Sequence, residues 1–324
     1  MKLIIQIPAL NEEGTIAETL AALPKSMPGF EVIEVLLIDD GSTDDTVDIA
    51  RTAGVDHVLS MGTNMGLARA FAAGLEEAIR LGADVIVNTD ADNQYCADDI
   101  PALVRPIVDN EAQIVVGARP IKENESFSPL KKQLQSLGSW VVRRASGSDI
   151  PDAPSGFRAY SREAAARLCV LTTYTYTLET IIQAGRKRIP MTSVPVRVNK
   201  VERPSRLFRS MGGYIRRSIA TILRVFVLYA PLRFFLMLAG VTALPALVVI
   251  ARFLWFVANG DGAGHVQSLV LAGALMAMIF FAVGVLADLI AANRTLLEDN
   301  RSRDLLRNEG APRTDRRRIR VIKD

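Results

Sequence analysis

The chain is poor in the side chains that build zinc, redox and histidine-based sites. Its 324 residues include only two cysteines, Cys96 and Cys169, and two histidines, His57 and His265. The cysteines lack the spacing of metal ligands, and so few thiols fit a reduced compartment without a disulfide framework. Neither histidine lies in a pattern that indicates a catalytic base. Any catalytic chemistry is therefore expected from carboxylates and cationic side chains.

The sequence also lacks the two common glycine-rich phosphate-binding motifs. No Walker A lysine motif occurs, and no G-x-G-x-x-G follows a strand, so a nucleotide would be held in another way. The net charge is only +3, and no nucleic-acid partner is expected. The opening MKLIIQIPALNEE has too short an apolar run for a signal peptide. The N-terminal domain is therefore expected to lie in the cytoplasm.

What the chain has in excess is apolar sequence, and that excess is concentrated near the C-terminus. Hydrophobic residues make up 49% of the chain, and residues 231–292 are overwhelmingly apolar. Two runs in this region, about residues 232–257 and 266–290, are long enough to cross a bilayer. Pro245 is compatible with a span, because a neighbouring helix can satisfy the freed carbonyl. The alternative is two buried core helices of a soluble protein.

Arginine flanks this apolar region on both sides, whereas the connecting NGDGAGH has no lysine or arginine. The flanking arginines are Arg206, Arg209, Arg216, Arg217 and Arg224 before it, and Arg294, Arg301, Arg303, Arg307 and Arg316–Arg318 after it. The positive-inside rule places both flanks in the cytoplasm. Residues 211–230 are expected to form an interfacial amphipathic helix, and residues 293–324 a basic cytosolic tail. The predicted location is the cell (inner) membrane, multi-pass, with both termini cytoplasmic.

The first 210 residues alternate between strand and helix patterns. The predicted strands are Leu3–Ile7, Val32–Ile38, His57–Leu59, Val85–Val87 and Ile114–Gly117. This alternation predicts an α/β domain with a mostly parallel sheet that helices cover on both faces. Further along, a helix is expected over about 130–145, and residues 147–163 are interpreted as a loop that ends in a helix from Ser161. The segment IPMTSVPVRV is expected to be extended.

Polar clusters follow the ends of four of these predicted strands. They are Asn11–Glu13, Asp39–Ser42, Asp90–Gln94 and Arg119. In open α/β sheets, ligands bind outside the carboxyl ends of the strands. The clusters are therefore expected to converge on one site.

The stretch VNTDADNQY, residues 87–95, is the candidate metal site. Asp90 and Asp92 are one residue apart, so in an extended chain their side chains face the same side. Two such carboxylates repel, and Mg²⁺ or Mn²⁺ would relieve the conflict by taking oxygen ligands, to which Gln94 could add one. The alternative is the polar end of a buried strand, since a lone D-x-D occurs by chance. For Asp39–Ser42 the alternative is a helix N-cap.

Six motifs occur in an order and spacing that resembles the family 2 glycosyltransferases. They are IPALNEE, LLIDDGSTDDT, NMGLARAFAAG, NTDADNQY, VVGAR and SGFRAYSRE. More narrowly, the set is similar to that of the polyprenyl-phosphate (dolichol-phosphate) sugar transferases over roughly residues 3–210, and some members also carry a pair of C-terminal spans. The resemblance implies a GT-A (Rossmann-like) fold over residues 1–210, a nucleotide-sugar donor, a polyprenyl-phosphate acceptor, a divalent cation and inversion at the anomeric carbon.

The resemblance also implies which residues bind the donor. Pro8, Asn11 and Glu12 would border the nucleobase and ribose, and Asp39 would hold the base or ribose. Arg206 would close over the donor just before the membrane, with contact to lipid headgroups as the alternative. The family usually has an aromatic residue where this chain has Ala9 or Leu10, which leaves the base selectivity open.

Metal, catalytic and acceptor residues follow from the same resemblance. Asp90 would lie near the ribose and metal, with Asp92 and Gln94 on the metal and diphosphate. Arg119 would face the phosphates at the reacting centre, and the resemblance makes Asp92, Arg119 and Asp152 the candidate catalytic residues. The residues assigned to the acceptor phosphate and acceptor loop are Arg119, Lys132, Ser136 and Asp152. Arg158 would be a structural or phosphate contact, or would pair with a carboxylate inside the fold.

Two other functions fit parts of the sequence. One is transfer to another lipid acceptor such as diacylglycerol, whose hydroxyl needs a general base. The other is a non-catalytic membrane scaffold on a GT-A fold, against which Asp90, Asp92 and Arg119 argue. A processive synthase is disfavoured because the Q-x-x-R-W motif is missing. The sequence leaves open the sugar, the nucleotide, the polyprenol length, the choice of Mg²⁺ or Mn²⁺, and whether the protein is a homo-oligomer.

Overall fold

The structure, a computed structural model, describes residues 1–120, 146–170, 176–199, 227, 231–260, 267–307 and 320–322. The chain divides into two compact units, Met1–Ser218 with Glu298–Asp324, and Ile219–Leu297. The predicted helix at about 130–145 and, apart from residue 227, the predicted interfacial helix at 211–230 lie outside the described residues. The same holds for Lys132, Ser136 and Arg206, so their assigned roles stay predictions.

The first unit is built on an eight-stranded sheet. Its strands are β1 (Lys2–Ala9), β2 (Val32–Asp39), β3 (His57–Ser60), β4 (Val85–Asn88), β5 (Ile114–Ala118), β6 (Arg158–Ser161), β7 (Met191–Pro195) and β8 (Arg320–Ile322). They are ordered β7-β5-β6-β4-β1-β2-β3-β8. Strand β6 runs antiparallel to β4 and β5, and β8 runs antiparallel to β3, while the other neighbours are parallel. The sheet is therefore mostly parallel.

Helices connect the strands of this unit. They are α1 (Ile16–Ala22), α2 (Thr46–Thr52), α3 (Leu67–Arg80), a 3-10 turn (Ala97–Asp99), α4 (Ile100–Val108), α5 (Arg162–Arg167) and α6 (Thr177–Arg186). In β1, Leu3, Ile4, Ile5 and Ile7 are fully buried. Because residues on both faces of this strand are buried, it reads as a continuous apolar run, as expected for a central strand covered on both sides.

The five strands predicted from Leu3 to Gly117 are confirmed within one or two residues, but two strands were missed. Residues 147–163 were interpreted as a loop, yet Arg158–Ser161 form β6 in the middle of the sheet. These four residues begin with a buried arginine and show no alternation of apolar and polar residues, so the sequence gives no strand signal. The segment forms a strand because it pairs with β4 and β5. The C-terminal strand β8 pairs with β3 through only three residues.

The second unit contains two apolar helices, α7 (Pro231–Ala258) and most of α8 (Gln267–Arg307). Both are long and apolar enough to cross a membrane, and only 6% of the apolar window of each is buried. This exposure argues against the alternative of two buried core helices. Gly273 packs against Ala246, and Gly284 packs against Phe235. Small residues at such contacts let membrane helices approach closely.

Helix α8 continues past the predicted end of the second span, and its last residues belong to the first unit. There Glu298 forms an ion pair with Lys187 at 2.8 Å. Arg301 pairs with Glu76 and donates a hydrogen bond to the carbonyl of Leu168 at 3.2 Å. Residues 293–307, which the sequence assigned to a basic tail, thus continue a helix.

Candidate active site

The candidate site lies where the order of the parallel strands reverses. Strand β1 sits between β2 and β4, and at such a switch point the loops leave in opposite directions and open a crevice. Asp39 ends β2, Asp90 follows β4, and Arg119 follows β5. Asp90 interacts electrostatically with Asp92, Arg119 and Glu12. The fold thus brings together four polar side chains that the sequence predicted would converge.

Asp90 has a strongly perturbed pKa. Desolvation raises its pKa most, and the negative charge of Asp92 raises it further, so that it reaches about 7. Arg119 opposes the rise, and Glu12 adds to it. A carboxyl with such a pKa is partly protonated near neutral pH unless a cation joins the site. Burial and the charge of Asp92 thus both oppose the ionised form of Asp90.

The residues present fit a divalent cation that is shared with a substrate. Among the described residues, no three aspartate, glutamate, histidine or cysteine side chains gather into a complete cation site. Asp90 and Asp92 supply hard oxygen atoms, and one or two carboxylates completed by substrate phosphates are the usual arrangement for Mg²⁺. The repulsion that raises the pKa of Asp90 is what a cation would relieve. The backbone N–H of Gln94 donates to Asp92 Oδ1 at 3.1 Å, and its role as a ligand stays a prediction.

The raised pKa of Asp90 makes the stability of the metal-free protein depend on pH. Because the folded-state value of about 7 exceeds the ordinary 3.8, the folded chain binds this proton more tightly than the unfolded chain. That contribution is fully present below about pH 4 and is lost as the pH rises through about 7. We expect Asp90→Asn, which mimics the neutral acid, to melt at a higher temperature than the wild type at pH 8 without divalent cations. At pH 4 the two should melt together, and a constant difference across this range would contradict the assignment.

A network of buried hydrogen bonds lies next to Asp90 and links Asn88, Tyr95 and Tyr176 to Gly156. Asn88 Nδ2 donates to the carbonyl of Gly156 at 2.8 Å and to the hydroxyl of Tyr176 at 3.0 Å. The backbone N–H of Gly156 donates to the hydroxyl of Tyr95 at 3.1 Å. Sequence analysis assigned none of these contacts, and Tyr95 and Asn88 were visible only as neighbours of the D-x-D pair. They fix the loop before β6 against the carboxylate.

Gly156 has to be a glycine because of this close approach. A Cβ atom there would lie 2.9 Å from the Tyr176 hydroxyl and 3.1 Å from Asp90 Oδ1. We expect Gly156→Ala to push the Asp90 carboxylate aside and to lower kcat/KM by about 10-fold to 100-fold, as for small misplacements in an active site. Steady-state kinetics would measure this. Gly240→Ala, at an exposed glycine of α7 with open space around it, controls for a general effect of the added methyl group, and equal activities of Gly156→Ala and the wild type would contradict the expected clash.

Arg119 is held by a forked ion pair with Asp152. Arg119 Nε and Nη2 donate to Asp152 Oδ2 and Oδ1 at 2.7 and 3.0 Å, and the backbone N–H of Arg119 donates to Oδ2 at 3.2 Å. Burial opposes the charge on Arg119, but the hydrogen bonds to Asp152 outweigh it and raise the pKa of the guanidinium. The Asp152 side chain is only 1% exposed. The carboxylate of Asp152 therefore pairs with Arg119, and the predicted catalytic role of Asp152 stays a prediction.

The loops after β1 and β2 are joined to each other. Asn11 has a positive φ of 54°, and its side-chain oxygen accepts a hydrogen bond from the N–H of Thr43 at 2.8 Å. Asp39, 5% exposed, accepts hydrogen bonds from Ser42 N at 2.8 Å and Ser60 Oγ at 3.2 Å. Asp39 thus stabilises the loop that the sequence assigned to the nucleotide-sugar donor.

Three residues that the sequence placed at or near the site are buried or hydrogen-bonded within the protein. Asp40 accepts hydrogen bonds from the N–H groups of Met65 and Gly66 at 2.7 and 2.9 Å, and so ties down the start of α3. Pro8 is buried within β1. The fully buried Arg158 donates to the carbonyls of Ser155 and Ala153 and to the hydroxyl of Thr180. Among the alternatives for Arg158, the structural contact is therefore the correct one.

Residues 196–199 are hydrogen-bonded to the loop that follows β4 and carries Asp90 and Asp92, called here the D-x-D loop. Val198 forms an isolated β-bridge with Tyr95, and the N–H of Asn199 donates to the carbonyl of Gln94 at 2.8 Å. The side chain of Asn199 donates to the carbonyl of Asn93 at 2.9 Å. The sequence gave no signal for this contact, because it joins segments about 100 residues apart. The segment that leads toward residue 200 therefore ends on the candidate metal loop.

A mostly parallel α/β sheet with acidic loops at its switch point defines the class of GT-A glycosyltransferases. A model of the family described as glycosyl transferase family 2 matches residues 4–169. The chain belongs to this family. Both the predicted family and the predicted fold class are therefore confirmed.

Two of the relatives are named for sugar transfer to polyprenyl phosphates. The chain is 30% identical over 216 residues to the UDP-N-acetylglucosamine–dolichyl-phosphate N-acetylglucosaminyltransferase of Methanococcus voltae, covering 59% of this chain and 83% of the relative. It is 27% identical over 232 residues to the undecaprenyl-phosphate mannosyltransferase of Micrococcus luteus, covering 69% and 93%. The similarity spans most of both relatives.

Solved structures agree with the fold. Glucosyl-3-phosphoglycerate synthase of Mycobacterium tuberculosis, in complex with Mn²⁺, UDP-glucose and phosphoglyceric acid, superposes with a TM-score of 0.55. The sequence identity is 23%, and the match covers 69% of this chain and 79% of the synthase. At this identity the comparison shows the fold alone.

Proposed function

We propose that this protein transfers a sugar, with inversion, from a nucleotide-sugar donor to a polyprenyl monophosphate. The observation that carries the proposal is the joining, in one chain, of two elements. One is a family 2 domain with Asp90, Asp92 and a clamped Arg119 at its switch point. The other is a pair of exposed apolar helices. The named relatives, which act on dolichyl and undecaprenyl phosphates, support the choice of acceptor.

The donor and the cation are proposed from the same site. The synthase of similar fold binds UDP with Mn²⁺, and Asp90 and Asp92 are chemically suited to a divalent cation. When bound, such a cation would act as a Lewis acid on the departing nucleoside diphosphate. We assign Glu12, Asn11 and Asp39 to the donor, and this is supported by the hydrogen bonds that hold their loops together.

The acceptor phosphate needs little activation by the protein. A phosphate monoester is largely dianionic near neutral pH, because its second pKa is about 6. One of its oxygen atoms forms a bond to C1 of the sugar while the bond from C1 to the diphosphate oxygen breaks, and attack from the opposite face inverts the centre. Arg119 offsets the repulsion between the two anionic substrates, and Asp152 keeps the guanidinium in place. Positioning and charge therefore account for the catalysis.

The apolar helices keep the enzyme where its acceptor is. A long polyprenyl chain stays in the bilayer, so its phosphate is presented at the membrane surface. The arginines on both flanks of the helix pair, and their lack in the connection at 259–265, support a cytoplasmic catalytic domain and two spans. A cytoplasmic site also has access to soluble nucleotide sugars.

The proposal is tested with the purified full chain in liposomes. Radiolabelled nucleotide sugars would be offered with Mn²⁺ and one of three acceptors: a polyprenyl monophosphate, diacylglycerol or 3-phosphoglycerate. We expect a lipid product only with the polyprenyl monophosphate. A product on diacylglycerol alone, or on 3-phosphoglycerate alone, would overturn the acceptor assignment. Lack of transfer to all three with every common nucleotide sugar would favour the non-catalytic scaffold.

A further inference from the structure

We propose that Thr15 and Thr19 of α1 are positioning residues for the D-x-D pair. Both hydroxyls approach the backbone carbonyl of Ala91, the residue between Asp90 and Asp92. Thr15 Oγ1 lies 2.9 Å and Thr19 Oγ1 lies 3.0 Å from this oxygen. A carbonyl oxygen has two lone pairs and can accept both hydrogen bonds. Two side chains from a different element therefore hold the one peptide group that joins the two aspartates.

The hydroxyl of Thr15 does not make the capping hydrogen bond that is expected at the start of a helix. Thr15 is the N-cap residue of α1, where a threonine side chain ordinarily accepts a hydrogen bond from the backbone of its own helix. Here it makes no such cap bond, and its shortest contact is the one to Ala91. Its other contacts are to Glu12, at 3.2 Å from the carboxylate and 3.4 Å from the carbonyl. The Thr15 side chain thus connects Glu12, which is proposed to bind the sugar donor, to the loop that carries Asp90 and Asp92.

Thr19 reinforces the same carbonyl one helical turn later. Its side chain is buried, and its hydroxyl also reaches the carbonyl of Thr15 at 3.0 Å. A threonine that only satisfied its own hydroxyl inside the helix would need no more than this second contact. Residues four apart lie on one face of a helix, so the spacing of Thr15 and Thr19 directs both hydroxyls to Ala91.

The orientation of this carbonyl matters because it fixes the two carboxylates. Rotation of the peptide plane after Ala91 would turn Asp92 relative to Asp90. The repulsion between two like-charged carboxylates favours such a rotation when no cation is present. Two hydrogen bonds to the carbonyl oppose it. They keep both carboxylates directed at one place, and a cation that binds there does not have to reorder the loop.

The test replaces the hydroxyls without changing the shape of the side chains. The variants are T15V/T19V, which removes both donors, and T15S/T19S, which keeps them. Mn²⁺ binding by the full chain in detergent, with UDP as the probe nucleotide, would be measured by isothermal titration calorimetry. We expect T15V/T19V to weaken Mn²⁺ binding by about 10-fold to 100-fold, the range for residues that orient metal ligands, and T15S/T19S to bind like the wild type.

The matched control is Thr52→Val. Thr52 is an exposed threonine at the end of α2 whose hydroxyl bonds only within its own helix, to the carbonyl of Asp48 at 2.9 Å. We expect this variant to bind Mn²⁺ like the wild type. If T15V/T19V does not fold, the single variant T15V takes its place, because Thr15 is half-exposed. We expect T15V to weaken Mn²⁺ binding by a smaller factor than the double variant.

The inference rests on the proposed function, and the two can fail separately. If the wild type binds no Mn²⁺, the proposed cation site fails and the inference fails with it. If the wild type binds Mn²⁺ and T15V/T19V, or T15V in its place, binds equally well, only the inference is overturned. Weakened binding in T15S/T19S as well would also overturn it, because the hydroxyls would then not be what orients the loop.

Discussion

Asp92→Ala is expected to lower kcat by about 10²-fold to 10³-fold, the range found when one group that stabilises charge in a transition state is removed. Under the proposed function, the variant removes a carboxylate that would bind the cation next to the departing nucleoside diphosphate. It also removes the negative charge that raises the pKa of Asp90. The rate should therefore fall, and the pH dependence of Mn²⁺ binding should move to lower pH as Asp90 ionises more easily.

Initial rates with saturating Mn²⁺, and the apparent Mn²⁺ affinity from pH 5 to 9, would measure both effects. Asp98→Ala is the matched control, since it removes the same charge from the same segment of chain at a side chain that is 80% exposed. We expect this control to retain the rate of the wild type. Unchanged turnover in Asp92→Ala would mean that the cation is bound by another arrangement or that the site is not catalytic.

Asp152→Asn is expected to lower kcat/KM by about 10²-fold, because Asp152 positions Arg119. Its carboxylate holds Arg119 through two side-chain hydrogen bonds and one backbone hydrogen bond. An amide can accept only part of this fork, so the guanidinium would be misplaced by a fraction of an ångström or more, which is enough for such a loss. Removing one charge from this buried pair should also destabilise the fold by about 3 kcal/mol and lower the melting temperature by several degrees.

Arg119→Lys tests the same pair from the other side, because an ammonium group cannot reproduce the planar fork. We expect it to lose activity to a similar extent, mainly as a rise in KM for the phosphate acceptor. The control is Asp109→Asn, which breaks the exposed ion pair with Arg105 on α4 and should change neither rate nor melting temperature. Full activity in Asp152→Asn would show that Arg119 is oriented by something other than this carboxylate.

Much of the site could be predicted from local sequence. The run Leu3–Ile7 and its parallel neighbours predict a sheet, and parallel strands end at one edge, so Asp39, Asp90 and Arg119 were expected along that edge. The apolar runs at 232–257 and 266–290 needed only length and composition to be recognised. These features depend on periodicity and on residues close together in the chain.

Other features could not be predicted, because they depend on contacts between distant segments. The role of Asp152 follows from a pairing with a residue 33 positions away. Strand β6 is found only where β4 and β5 accept it. Thr15 and Thr19 looked like the start of an ordinary helix until the carbonyl of Ala91, 76 and 72 residues away, was placed beside them.

The sequence by itself determined that this protein is an α/β transferase domain followed by apolar helices, with an acidic pair and an arginine at its switch point. Only the tertiary structure decided which polar residues face the cleft and which support it. Residue types that can bind a substrate, such as Asp152 and Arg158, can equally bind their own protein. Which of the two they do depends on whether folding buries a partner within hydrogen-bond distance.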